Sequence, residues 1–98
     1  MILNFRDDWL RGFYLDNERT RQIPPDLESR VYRRRQLLVA ARTDRDLRTP
    51  PSNHFEKLRG GLDGWHSVRV NQQWRVIFRW DAERGEASDV YLEDHSYR

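Results

Sequence analysis

The sequence predicts an α+β domain in which N-terminal helices pack on one face of a small, mostly antiparallel β-sheet. Apolar residues recur at helical spacing in the first half of the chain and alternate with polar residues, at strand spacing, in the second half. The 98 residues suit a single domain, which we place at residues 1–98.

The clearest strand pattern lies in residues 64–80 and predicts a hairpin with a polar connection at residues 71–73. Successive side chains of a strand point to opposite faces of the sheet. One face of this hairpin is apolar and contains Val68, Val70, Trp74, Val76, Phe78 and Trp80. The other face contains Ser67, Arg69, Arg75, Ile77 and Arg79. Three arginines on one side of a two-strand unit repel one another, so we expect function on this polar face.

Two helices are predicted before the hairpin. The first is short, has Asp7 or Asp8 as its N-cap and buries an apolar face that includes Trp9 and Phe13. The second follows the paired prolines at residues 24 and 25 and runs from Leu27 to about Arg42. Its apolar stripe consists of Leu27, Val31, Leu38 and Ala41. Arg34 falls inside that stripe, so its charge must reach the edge of the core or be paired.

Shorter elements complete the prediction. Residues 1–5, 54–58 and 87–94 have strand character, and residues 43–48 suit one further helical turn. The last strand alternates and directs Val90 and Leu92 toward the core. If it pairs with residues 74–80, it adds Tyr91, Glu93 and His95 to the polar face, with Lys57 and Arg59 near the mouth of that face.

Composition restricts the class of protein. The net charge is only +2, yet 17 of the 18 basic residues are arginine and Lys57 is the single lysine. Because the arginine fork matches phosphate, a polyanionic partner is a reasonable prediction, with a solvated surface as the alternative. The absence of cysteine excludes disulfides, and no apolar run approaches a membrane span. We therefore expect a cytoplasmic domain with no membrane association.

The predicted polar face suits cleavage of RNA by its own 2′-hydroxyl group. That reaction needs a base for the hydroxyl proton, cations for the growing phosphorane charge and an acid for the 5′-oxygen. Arginines supply the cations, and His95, Glu93 or a tyrosine supplies the other groups. The sequence has no cluster of His, Asp or Glu at metal-ligand spacing, so no metal and no cofactor are predicted.

Two stretches carry a resemblance to a known family. Residues 50–60, PPSNHFEKLRG, and residues 64–78, GWHSVRVNQQWRVIF, resemble the HigB toxins of the RelE/ParE-like type II toxin–antitoxin superfamily. The resemblance extends over essentially the whole chain. It implies a RelE-like fold and a ribosome-dependent, metal-independent mRNA endoribonuclease that inhibits translation. It also implies a HigA-type helix-turn-helix antitoxin, with operator DNA bound only through the toxin–antitoxin complex.

The resemblance assigns roles to particular residues. Arg75 matches the family's arginine after the aromatic residue of its fourth strand, and Asp94 matches the aspartate of its Asp-Tyr-His ending. This chain departs from the family there, with His95 in the tyrosine place and Tyr97 beyond the histidine place. Glu56 stands where the family has a histidine. The predicted catalytic set is Arg75, His95, Asp94, Tyr97 and Glu93, and the predicted RNA-binding set is Arg59, Lys57, Arg69, His54, Arg79 and Tyr91.

Two other functions are compatible with the same fold. One is a gyrase-directed toxin of the ParE kind, in which the helices and the C-terminal tail bind a protein and no RNA chemistry takes place. The other is a non-catalytic co-repressor that only adjusts operator binding by its antitoxin. The arginines of the polar face, together with Glu93, His95 and Tyr97, favour the ribonuclease.

Overall fold

The computed structural model describes residues 1–58 and 64–94, and it confirms the predicted α+β arrangement. Three helices come first: α1 is Asp8–Asp16, α2 is Glu28–Ala40 and α3 is Asp44–Leu47. Four strands follow: β1 is Glu56–Lys57, β2 is Trp65–Arg69, β3 is Trp74–Asp81 and β4 is Glu86–Asp94. Short 3-10 turns, Pro25–Leu27 and Pro51–Asn53, precede α2 and β1.

The four strands form one antiparallel sheet in the order β1-β2-β3-β4. The predicted hairpin is confirmed, with Val68 opposite Val76 and Arg69 opposite Arg75. Residues 1–5 do not form the continuous strand that was predicted. They make only two isolated parallel bridges to β4, from Ile2 and Phe5. This segment nevertheless lies along the outer edge of β4 and covers its backbone.

Strand β4 contains a β-bulge that the sequence did not reveal. Asp89 has a φ of 52°, in the left-handed region, and the pairing with β3 shifts between Ile77 and Arg79. The extra residue brings both Ala87 and Val90 to the core face, where each is fully buried. The predicted alternation over 87–94 is therefore wrong before Val90. The Asn4 side-chain oxygen accepts a hydrogen bond from the Asp89 backbone N–H at 2.6 Å, which compensates for the lost ladder bond.

The core lies between the helices and one face of the sheet, as predicted. Leu27, Val31 and Leu38 of the second helical segment are buried in the same cluster as the apolar side chains of the hairpin. Helix α1 adds Leu10 and Phe13. The described residues include no helix that is both long enough and apolar enough to cross a membrane.

Arg34 lies within the apolar stripe of the second helix, and its side chain makes a hydrogen bond to the end of β2. Its Nε donates to the Arg69 carbonyl oxygen at 2.5 Å, so a guanidinium from α2 binds the backbone of the sheet. Burial, and then the nearby Arg33 and Arg30, lower the pKa of Arg34, but an arginine keeps its charge in proteins. The bond fixes the strand end from which the Arg69 side chain extends.

The strand predicted over 54–58 is shorter than expected. His54 has a φ of 45°, a left-handed conformation that extended pairing does not allow, so β1 begins only at Glu56. The buried Asn53 side chain explains the sharp path before it, because its amide donates to the carbonyl oxygens of Leu47 and Thr49, at 3.3 and 3.1 Å.

The helix ends match the prediction only in part. Asp7 occupies the N-cap position of α1, but its side chain makes no capping bond and instead accepts from Arg6 at 2.9 Å. The helical turn predicted over 43–48 is confirmed as α3. A capping box between Thr43 and Asp46 stabilises its start, since each side chain accepts from the other residue's backbone N–H.

Candidate functional site

The candidate site lies on the sheet face that points away from the helices. Its centre is shielded from solvent, because Ser67 is 0% exposed and Ile77 is 2% exposed. Trp65 and Tyr91 lie on either side of Ile77 along β2 and β4, with ring centroids 5.8 Å apart. Charged groups beside a centre that is shielded from water interact more strongly than charged groups on a fully solvated surface.

Arg75 is the best-anchored polar side chain of this face. Its Nε donates to the Ser67 hydroxyl oxygen at 2.9 Å, and its Nη2 donates to the His54 carbonyl oxygen at 3.1 Å. Only 14% of the side chain is exposed, so Arg75 is largely shielded from solvent although it lies on the polar face. The guanidinium is held in one orientation by strand β2 and by the turn before β1.

Carboxylates from two strands surround Arg75. Glu93 on β4 is its direct cross-strand partner. Glu56 on β1 reaches it from the other side, with Oε2 at 3.4 Å from Nη2. Glu56 was not in the predicted site. The sequence signal was present, since Glu56 stands at the family's histidine position, but its closeness to Arg75 depends on the β1–β2 register, which places it opposite Ser67.

The end of β2 adds a second arginine to the same cluster. The Arg69 Nη1 and the His54 Nε2 lie 3.5 Å apart. Asp94, by contrast, pairs with Trp74, whose ring packs on the helix side, so the Asp94 side chain begins from the helix-side face at the end of β4. The Gln73 side-chain amide donates to the Asp94 carboxylate at 3.0 Å, a contact that only the fold reveals.

Arg79 and Tyr91 occupy the other half of this face. Arg79 pairs with Asp89 at 3.7 Å and lies over the Trp65 ring at 5.1 Å from its centroid. Arg6 lies over the Tyr91 ring at 3.9 Å. Arg6 and Trp65 were not predicted on this face. Stacked guanidinium groups and aromatic rings of this type suit contact with nucleic acid.

Lys57 lies apart from the described cluster. It pairs with His66, whose ring packs in the core, so Lys57 begins from the helix-side face at the sheet edge. The predicted site residues Arg59, His95 and Tyr97 lie outside the described residues.

One cavity lies apart from the polar face. A cavity of about 760 Å³ is lined by residues of the loop after α1, including Arg19 and Arg21, and by Trp74, which packs on the helix side of the sheet. No group of three or more His, Asp or Glu side chains in the described ranges is arranged to hold a metal ion.

His66 is a buried histidine behind the site. Its ring stacks on Phe55 with centroids 5.1 Å apart and planes 3° apart, and its Nδ1 is buried with no hydrogen-bond partner in the described structure. Burial lowers the pKa of His66. Lys57 and Arg48 lower it further, against opposing contributions from the Gly64 backbone and from Asp44.

We expect the lowered pKa of His66 to make the protein less stable in mild acid. In the unfolded chain His66 binds a proton below its ordinary pKa of about 6.5, whereas in the folded chain it does so only at a lower pH. The free energy of unfolding is therefore highest above this pKa and falls as the pH drops below it. Urea unfolding between pH 7.5 and 5 measures the slope, which His66→Phe should reduce. His54→Gln is the control. An unchanged slope in His66→Phe would contradict the assignment.

The α+β arrangement, with helices on one sheet face, is consistent with the RelE-like fold of small toxin domains. A family model described as a RelE-like toxin of the type II toxin–antitoxin system HigB matches residues 3–95. The chain therefore belongs to the HigB-like toxins of type II toxin–antitoxin systems, and this membership implies an antitoxin partner.

Individual relatives agree with this membership. The chain is 47% identical over 97 residues to Toxin HigB-1 of Vibrio cholerae, covering 99% of this chain and 100% of that protein. It is 37% identical over 94 residues to an uncharacterized protein of Haemophilus influenzae, covering 96% of this chain and 91% of that protein. The similarity thus extends over the full domain and includes every element that positions Arg75.

Proposed function

We propose that this toxin is a ribosome-dependent mRNA endoribonuclease that inhibits translation in the cytoplasm and is neutralised by a HigA-type antitoxin. The observation that carries the proposal is the anchoring of Arg75, whose guanidinium is held by Ser67 and by the His54 carbonyl between two carboxylates. HigB-like toxins with a RelE-like fold are generally ribonucleases, and an immobilised arginine beside potential bases suits that chemistry.

The reaction uses the RNA's own 2′-hydroxyl and needs no metal. A carboxylate beside Arg75, Glu56 or Glu93, takes the hydroxyl proton, and the 2′-oxygen forms a bond to phosphorus. The bond from phosphorus to the 5′-oxygen breaks, and an acid of the C-terminal set, Asp94, His95 or Tyr97, protonates the leaving oxygen. The products carry a 2′,3′-cyclic phosphate and a 5′-hydroxyl end.

Arg75 stabilises the charge that grows on the phosphoryl oxygens. Its fork donates two parallel hydrogen bonds to a phosphate, and its anchors keep it from having to reorient during the reaction. Arg69, Arg79 and His54 lie on the same side of the sheet and suit neighbouring phosphates, and Tyr91 adds an aromatic ring to this side. We assign Arg59 and Lys57 to the same RNA-binding set.

The partners follow from the same proposal. The ribosome presents the mRNA to the shallow polar face, and the helix-turn-helix antitoxin carries the operator-binding function for the complex. The toxin itself contacts operator DNA only through that complex.

The proposal predicts that cleavage depends on ribosomes. Purified toxin added to a translation extract should cut a reporter mRNA and should not cut the same RNA after ribosome removal. Equal cleavage of free RNA would contradict ribosome dependence. Intact mRNA combined with inhibition of purified gyrase would favour the ParE-like function, and no activity in either assay would favour the co-repressor.

A further inference from the structure

Exposed apolar side chains are concentrated in one groove of the described structure. The groove has a volume of about 430 Å³ and lies between residues 1–5, helix α1 and helix α2. Met1 and Leu3 form one wall, with 57% and 54% exposure. Leu15 of α1 and Val39 of α2 form the others, with 52% and 46% exposure. Such clustering of exposed apolar groups marks an interaction surface.

Positive charge is built into the same groove. Arg11 lines it one turn before Leu15 on α1, and Arg35 lines it one turn before Val39 on α2. Residues four apart share a helix face, so each helix presents one guanidinium group beside one aliphatic group. None of the described lining residues is acidic. The groove is therefore complementary to a segment that carries carboxylates beside aliphatic side chains.

Within the part of the chain that the structure describes, Arg35 lines the groove and has an unsatisfied hydrogen-bond donor in its guanidinium group. Its guanidinium lies over the Tyr32 ring at 5.4 Å, and its Nε is buried without a hydrogen-bond partner among the described residues. A buried, unsatisfied donor is unfavourable. A carboxylate in the groove would draw the side chain into a two-pronged pair through Nε and Nη2, and this rotamer change would remove the penalty.

We propose that this groove is the docking site for an acidic amphipathic segment of the antitoxin. The identity of the partner rests on the proposed function, whereas the apolar and charged character of the groove does not. The groove borders residues 1–5 on the β4 edge of the sheet, while His54 and Glu56 of the candidate site lie at the β1 edge. Docking and catalysis are therefore separable by mutation.

The test measures binding of purified cognate antitoxin to toxin that carries Arg75→Ala, so that cleavage does not influence the result. Adding Leu15→Glu together with Val39→Glu should weaken binding roughly thirtyfold or more, the loss typical of an interface hot spot. Arg11→Glu with Arg35→Glu should also weaken binding and should flatten its salt dependence. Arg21→Glu lies outside the groove and changes the charge by the same amount as Arg11→Glu alone or Leu15→Glu with Val39→Glu, so it is their control and should bind like its parent.

Several outcomes distinguish the alternatives. Circular dichroism confirms folding, and Arg11→Glu alone keeps the test valid if a double variant unfolds. Parental affinity in the folded groove variants would overturn the proposal. Gel filtration that shows toxin dimers lost in the Leu15→Glu variant, with antitoxin binding unchanged, would assign the groove to a second copy of the chain. A toxin that binds antitoxin through the groove but cuts no mRNA would overturn the proposed function alone.

Discussion

Replacing Arg75 with alanine should lower the rate of mRNA cleavage about a hundredfold to a thousandfold, the range found when one preorganised oxyanion donor is removed. The reason is the fixed orientation of the guanidinium, which Ser67 and the His54 carbonyl hold with 2.9 and 3.1 Å bonds. Single-turnover cleavage of ribosome-bound mRNA measures the chemical step. Arg75→Lys should recover little, because an ammonium group keeps the charge but loses the fork.

The controls for Arg75 must account for stability. Since only 14% of the side chain is exposed and its Nε bonds the Ser67 hydroxyl, its removal should destabilise the fold as well. Trp80→Phe is the matched control, because it removes the 2.7 Å bond to Asp44 on the helix side and leaves the polar face intact. It should lower the melting temperature but leave cleavage near wild type. Wild-type cleavage by folded Arg75→Ala protein would reject the site.

Replacing Phe78 with alanine should destabilise the fold by about 3–5 kcal/mol. Phe78 is 0% exposed and packs between Phe55, His66 and Trp80, so the deleted ring leaves a cavity that the surrounding rings cannot fill. The loss is a large fraction of the stability of a domain this size, and the melting temperature should fall by at least about 12 °C. Thermal denaturation followed by near-ultraviolet circular dichroism measures the change.

Leu15→Ala is the control for this core prediction. The Leu15 side chain is 52% exposed, so its truncation should change stability by no more than about 0.5 kcal/mol. Phe78→Leu should lie between the two, because it restores most of the lost volume. Equal melting temperatures for Phe78→Ala and Leu15→Ala would show that β3 does not form the centre of the core.

The sequence was sufficient for features that depend on local periodicity. Alternation in residues 64–80 predicted the hairpin and its two faces, and the stripe from Leu27 to Ala41 predicted the buried side of α2. The same alternation assigned Arg69, Arg75 and Arg79 to one face. These predictions succeeded because a side chain's direction in a helix or strand follows from its position in the repeat.

Features that depend on strand register or on one unusual backbone angle could not be predicted from local periodicity. The contact of Glu56 with Arg75 requires the β1–β2 pairing, and the early end of β1 follows from the left-handed backbone of His54. The burial of Arg75 was missed because periodicity places a side chain on a face without showing what surrounds it there. Arg6 reaches Tyr91 from the far end of the chain, a separation that no local pattern encodes.

The bulge at Asp89 also determines where this toxin tolerates a change in chain length. If Asp89 were deleted, Val90 alone would stand opposite Phe78, and the pairs of Tyr91 with Ile77 and of Ser88 with Arg79 would both be kept. If Asp89 stayed but paired regularly, either Ser88 would move into the space of the buried Ala87, or Tyr91 and Glu93 would turn toward the helices and away from Arg75. The bulge therefore absorbs the one residue by which the two halves of the strand are out of phase, so that Ala87 stays in the hydrophobic interior and Glu93 stays on the polar face.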